Sequence, residues 1–299
     1  MDNECSRAVD GSAWGHATWT ELADLGLGPR PTPPHGFPVV AILPVGAVEA
    51  HGPHLPLVTD VIIAAAAAKA ALPGLRRLGL HPILLPPLHY TAAPFAAGFP
   101  GTISVSPATI SALLADVAAS LERQGVAALV VVNAHLDPAH LGAIGEVVRG
   151  GADEDRASAL VETDAGGSGA GGQPGTAPSA SRPMPVIHPD LTERRWARRL
   201  TDEFRSGACH AGCYETSVVM AAAPELVRDA ARRGLAANPA SLSRAIRAGA
   251  ATFEEAGVDE TYCGDPASAT AREGEETVAA LAAIVVEAVE ERLGRGGGG

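Results

Sequence analysis

The chain has 299 residues, of which 46% are hydrophobic, enough to bury a sizeable core and to exclude disorder for most of its length. A formal net charge of −12 argues against nucleic acid and against an anionic membrane surface as partners. Cysteine usage is four (Cys5, Cys209, Cys213 and Cys263), and the polar, mixed-charge start does not read as a secretory leader, so a reduced, cytoplasmic setting is expected.

In chain order, residues 18–27 suggest an early helix without chemistry. The apolar, β-branched run over 37–44 predicts a buried strand, followed by an alanine-rich helix over 61–72 that Pro73 would stop. That helix is too short, and carries Lys69, so it is not a membrane span. A strand at 82–86 leads into the loop from His89 to Ser104, where long loops are usually functional. Tyr90, Phe95 and Phe99 there are candidates for the apolar wall of a small-ligand pocket. A helix over 107–123, a strand over 127–132 and a helix over 138–149 follow.

Residues 151–183 change to Gly, Ala, Ser and Pro, the composition of a flexible insertion. The pattern resumes with a strand candidate at 184–188, a helix over 191–204 around Trp196, and a short helix ended by Pro224. Exposed helix and loop are expected over 225–248, and an amphipathic final helix over 271–293. Alternating strands and helices predict a three-layer α/β/α sandwich with a mainly parallel sheet. Motifs on both flanks of the insertion make this one domain, 18–293, with residues 1–17 and 294–299 as tails expected to be disordered.

Three clusters carry chemistry. Glu49, His51 and Asp60 follow the first strand on a Gly/Pro-stiffened loop. Such mixed N and O donors suit zinc, manganese or iron better than calcium or magnesium. Asn133, His135, Asp137 and His140 follow the 127–132 strand, and functional groups of open parallel sheets collect beyond the carboxyl ends of strands. His210 and Glu215 lie where a loop meets a helix start, where Glu215 could equally be a capping group. His54, in the loop of the first cluster, either supports a ligand there or, the reading favoured here, hydrogen-bonds the backbone, while His16, His35, His81, His89 and His188 lack partners at ligand spacing. Cys209 and Cys213 flank His210, but no second cysteine-rich segment accompanies them, and a thiolate site is not expected.

The stretch from Leu43 to Leu57 with Asp60, the Phe99–Ser104 segment, Asn133-Ala-His135, His210-Ala-Gly-x-x-Glu-Thr-Ser217 and Gly264-Asp-Pro-x-x-Ala-Thr270 together resemble the creatininase (creatinine amidohydrolase) family, in order, over nearly the whole chain. The resemblance implies a hydrolase with two divalent ions (zinc, manganese or iron) acting on a cyclic or other small amide. It implies that Glu49 and His51 each bind one ion, that Asp60 bridges them, and that His135 completes the shell around the ion held by Glu49. Creatininase proper has a glutamate two residues after that histidine. Asp137 stands there in this chain, and whether it ligates directly, through water, or leaves the task to Glu215 stays open.

By the same resemblance His210 carries the proton that an amide leaving group requires, with Glu215 orienting it or supporting a ligand. A homo-oligomer, plausibly a hexamer, is implied too. Two other readings stand beside the amidohydrolase: a metallopeptidase or deformylase of the same superfamily, such as one that trims a mycofactocin precursor, and an inactive metal-binding assembly subunit.

Overall fold

A computed structural model describes residues 13–31, 36–150, 183–208 and 210–294. The 151–182 segment, residues 1–12 and 295–299, and with them Cys5, His35 and Cys209, lie outside the described residues. Residues 14–16 of the expected N-terminal tail form a single 3₁₀ turn.

The first helix, α1 (Trp19–Asp24), is closed by a capping box: Thr18 accepts from the Glu21 N–H and Glu21 reaches back to the Thr18 N–H. Strand β1 (Val39–Val45) is buried along its whole length. It pairs in parallel with β2 (His81–Leu84) on one side and β3 (Ala128–Asn133) on the other, and β3 pairs with β4 (Val186–Ile187). The sheet order is therefore β2-β1-β3-β4, all parallel. Pro44 is tolerated in this central strand because the pairing with β2 ends at Ile42↔Leu84. The donor it lacks falls on that side, past the end of the neighbouring strand.

Side-chain alternation splits the core into two layers. Val40, Ile42, Val130 and Val132 pack on one face with α2 (Thr59–Arg77) and α10 (Ala271–Gly294), together with Trp196, Tyr214 and Val218. Ala41, Leu43, Leu129 and Val131 pack on the other with Ile110 and Leu114 of α3 (Pro107–Glu122) and Ile144 of α4 (residues 138–150). The expected α/β/α sandwich is what the chain forms. No helix among the described residues is long and apolar enough to cross a membrane.

Two elements differ from the sequence reading. Helix α2 runs through Pro73, because that residue lies on the exposed side while Leu72 and Leu75 are buried. The missing donor would have served the solvent-facing turn at Lys69, where water can take its place. The expected helix over 191–204 is two short ones, α5 (Arg194–Ala197) and α6 (Asp202–Ser206). Thr201 breaks the run by capping α6, its hydroxyl accepting from the Phe204 N–H. Trp196 is packed into the core and covered by the Arg195 guanidinium 4.1 Å from its ring centre.

Candidate metal centre

Beyond the carboxyl ends of β1 and β3, where the chain's first connections leave the sheet toward opposite faces, the three sequence clusters converge. This is the crevice position that open α/β sheets offer to ligands. Glu49, His51, Asp60, His135, His210 and Glu215 are all buried there. Asp60 lies in the first turn of α2, whose N-terminal dipole favours a carboxylate. Gly46 makes that approach possible: a Cβ on it would sit 2.4 Å from the Val61 backbone nitrogen.

The two oxygens of Asp60 face different histidines. Oδ1 is 3.1 Å from His51 Nε2, and Oδ2 is 3.1 Å from His135 Nδ1. Glu49 Oε1 is 3.2 Å from His135 Nδ1, and Glu215 Oε2 is 3.5 Å from His51 Nε2. Three groups of donors have ligand atoms within 4.8 Å of one another: Glu49, Asp60 and His135; His51, Asp60 and Glu215; and Glu49, His51 and His210. Asp60 belongs to two of them through opposite oxygens.

The backbone fixes each imidazole. The second nitrogen of His51 lies 3.1 Å from the Glu49 carbonyl, that of His135 lies 2.9 Å from the Ala92 carbonyl, and Nε2 of His210 lies 2.8 Å from the Ala50 carbonyl. With those nitrogens donating, the opposite nitrogen of each ring keeps its lone pair toward the carboxylates, the arrangement by which proteins orient ligating histidines. His51 Nε2 is buried and lacks an aligned hydrogen-bond partner although it is ringed by carboxylates. A buried nitrogen and three buried carboxylates aimed at common points are costly alone, and divalent cations satisfy them. The donor set fits such ions.

Electrostatics express the same crowding. Burial opposes a charge on His51, but Asp60, Glu215 and Glu49 outweigh it and raise its pKa to about 10. Burial likewise opposes a charge on His135, whose pKa is nonetheless held well above the usual value by Glu49 and Asp60. The Asp60 carboxyl is held well below its usual range, burial being overcome by His51 and His135. Burial and the charges of Asp60 and Glu49 push Glu215 up to about 8, against the opposing effect of His51. His210 goes the other way: burial, then the nearby His51 charge, hold it well below the ordinary imidazole value.

Glu215 is the third residue of α7 (Cys213–Ala222) and accepts from the Ala211 N–H at 2.6 Å. It thus serves the helix start and faces His51 at once. Asp137 is set differently. It lines the cavity, but Oδ1 accepts from the Ala139 N–H at 2.8 Å and Oδ2 from the Phe95 N–H at 3.2 Å, and it belongs to none of the donor groups. His140 lies against Asn133 Oδ1 at 3.0 Å, and His54 against the Thr216 hydroxyl at 2.9 Å, with the Ala211 backbone also interacting with its ring. Cys213 and Cys263 are free and buried, and burial pushes their thiols up to about 11 and about 12.

The supporting contacts around the centre escaped the sequence reading. Thr102 accepts from the Ala50 N–H at 3.1 Å, so the residue whose carbonyl His210 leans on is held at its N–H as well as at its C=O. Asn133 braces its loop, donating to the His135 carbonyl and accepting the His135 N–H. Glu203 of α6 accepts the N–H groups of Tyr214 and Asp265, both at 2.8 Å, tying the start of α7 to the tail motif. Gly264 leaves room for it, since a Cβ there would lie 2.0 Å from Glu203 Oε2.

A cavity of about 280 Å³ opens on the centre. Its walls include Phe95, which the sequence nominated, but not Tyr90, which is 54% exposed, nor Phe99, which packs edge-on against Phe253.

The family model Creatininase, described as creatinine amidohydrolase, matches residues 15–289. A mycofactocin precursor peptide peptidase of Mycolicibacterium smegmatis is 30% identical over 253 residues, covering 83% of this chain and 83% of that protein. A solved creatininase described as the manganese form has a TM-score of 0.63 at 21% identity, covering 94% of this chain and 98% of its own. Another, a variant described as the zinc–zinc type, has a TM-score of 0.61 at 21% identity, covering 93% and 97%. Both likenesses show the same fold.

Proposed function

The chain belongs to the creatininase family of metal-dependent hydrolases, and on that premise we propose that it cleaves the C–N bond of a small amide at a dinuclear centre. The observation that carries this reading is Asp60, whose two oxygens each face a different histidine of a different donor group. Glu49, Asp60 and His135 would hold one ion, and His51, Asp60 and Glu215 the other. Zinc and manganese are the ions named for solved members of the fold, and iron suits the same donors. Two bound ions polarise a carbonyl and lower the pKa of water toward neutrality.

The chain's own residues do the rest. With Nε2–H of His210 given to the Ala50 carbonyl, its Nδ1 faces Glu49 and the cavity, 3.9 Å from Oε1. A weakly basic imidazole there takes up a proton as the nucleophile attacks and passes it readily to the departing nitrogen. The ring is held between His51 and Phe253, at centroid distances of 4.2 and 4.6 Å, which keeps Nδ1 aimed at one place. Asp137 orders the cavity wall through its two backbone contacts and needs no metal of its own.

A cyclic amide is the leading substrate class. A metallopeptidase or deformylase activity is a second reading, the former favoured by the match to the mycofactocin precursor peptidase along most of both chains. A cytoplasmic homo-oligomer, with the hexamer that the sequence resemblance implied, completes the proposal. Turnover of a panel of lactams, formamides and short peptides by His210→Ala, beside its metal content, tests the mechanism. Loss of turnover with full metal loading is expected; retained turnover would remove His210 from it.

A further inference from the structure

The cavity that opens on the donor cluster has two unlike halves. At one end lie the carboxylates and imidazoles. The remainder is walled by Phe95, Leu136, Leu141, Leu242, Ile246 and Phe253. Phe95 and Phe253 pack edge to face at 5.0 Å, and Phe253 N–H donates to the Phe95 carbonyl, so this wall is braced by its own contacts. Helix α9 (Leu242–Arg247), which follows the short α8 (Asp229–Gly234), supplies Leu242 and Ile246, and its charged groups, Arg244 and Arg247, are exposed.

No lysine or arginine lines the cavity among the described residues. The only acidic side chain outside the donor cluster is Asp137, and both of its oxygens are already engaged by backbone N–H groups. Thr192 and Ser243 are the other polar side chains. A substrate carboxylate or phosphate lodged against this wall would leave water without a cation to meet it, which is strongly unfavourable. An alkyl or aryl group would replace water on an apolar surface, which is favourable in proportion to the area covered. The volume, about 280 Å³, leaves room for a side-chain-sized group beside the reacting atoms.

We propose that the substrate carries one uncharged, apolar side chain, branched aliphatic or aromatic, next to the scissile C–N bond, and that Leu242, Ile246 and Phe253 select it. The position follows from the ring contact between Phe253 and His210, which brings the apolar wall up to the imidazole that serves the departing nitrogen. The proposal rests on the dinuclear-hydrolase reading. It narrows that reading from small amides in general to those with a hydrophobic flank, and it disfavours compact polar heterocycles and anionic amides.

Binding of hydroxamates to the zinc-loaded full chain, followed by calorimetry, tests it without relying on turnover. The probes are isocaproyl hydroxamate, succinyl monohydroxamate and acetohydroxamate, which share the metal-seeking head and differ in what they push against the wall. The isocaproyl probe is expected to bind about ten- to a hundredfold more tightly than the succinyl one. Ile246→Arg, on the half-buried side of α9, is expected to erase or invert that ratio. Equal affinities of the two probes for the wild type would overturn the proposal while leaving the metal centre standing. Failure of all three to bind the zinc-loaded protein would overturn the proposal together with the hydrolase reading. The wild-type ratio decides the matter even if the variant does not fold.

Discussion

Replacing Asp137 with alanine removes two acceptors in one step. One oxygen caps the start of α4 through the Ala139 N–H, and the other takes the Phe95 N–H across the cavity wall. Loss of a helix cap costs about 1 kcal/mol. A buried donor left without a partner costs about 1–3 kcal/mol more. The sum is about 2–4 kcal/mol, and at about 2–4 °C per kcal/mol for a domain of this size the melting temperature falls by roughly 4–16 °C. Metal content should not change, because Asp137 has no place in any of the donor groups. Thermal unfolding followed by circular dichroism, with metal analysis of the same preparation, reads both quantities. An unchanged melting temperature with the loss of one ion would refute this reasoning and make Asp137 a ligand.

Other outcomes follow from the same structure. Glu203→Ala should destabilise the chain by at least about 2 kcal/mol in urea titrations, because the Tyr214 and Asp265 N–H groups both lose their acceptor; an unchanged midpoint would show that water replaces it freely. Burial and the charges on His51 and Arg232 lower the His54 pKa to about 4, and burial with His135 and His188 lowers that of His140 to about 2. Both rings stay neutral in the folded chain as the pH falls below 6.5, the ordinary value at which the unfolded chain begins to take up protons. The contribution of these two rings to stability is therefore fully present above pH 6.5 and is lost below it, by about 1.4 kcal/mol per pH unit for each histidine, until the folded values are reached. Denaturation midpoints that do not move between neutral pH and pH 5 would contradict the assignment of two buried neutral imidazoles.

Much of the candidate centre was readable before any coordinates because its potential donors cluster locally. Glu49 and His51 directly follow a strand that is apolar on both faces, and His135 follows another, so the ends of buried parallel strands announced where chemistry could sit. The supporting contacts were not readable, because they join residues far apart in the chain. Nothing near Thr102 says that its hydroxyl will meet the Ala50 N–H, and nothing near Glu203 foretells Tyr214 and Asp265. Asp137 stands at ligand spacing after His135, yet its side chain meets backbone donors, one two residues ahead and one on Phe95, which the spacing alone did not foretell. The helix that continues through Pro73 shows burial of its neighbours overriding a local stop signal, and the broken helix at 198–201 shows a threonine cap overriding an apparent helical pattern.

The central claim is that two ions share Asp60, and metal content per chain tests it most directly. Protein prepared with zinc or manganese and dialysed at neutral pH should hold about two ions in the wild type. About one should remain in His135→Ala and in Glu215→Gln, which each disturb a single donor group, while Asp60→Asn should lose both. A wild-type chain that retains no ion after this treatment, or an Asp60→Asn variant that still holds the full complement, would contradict the account.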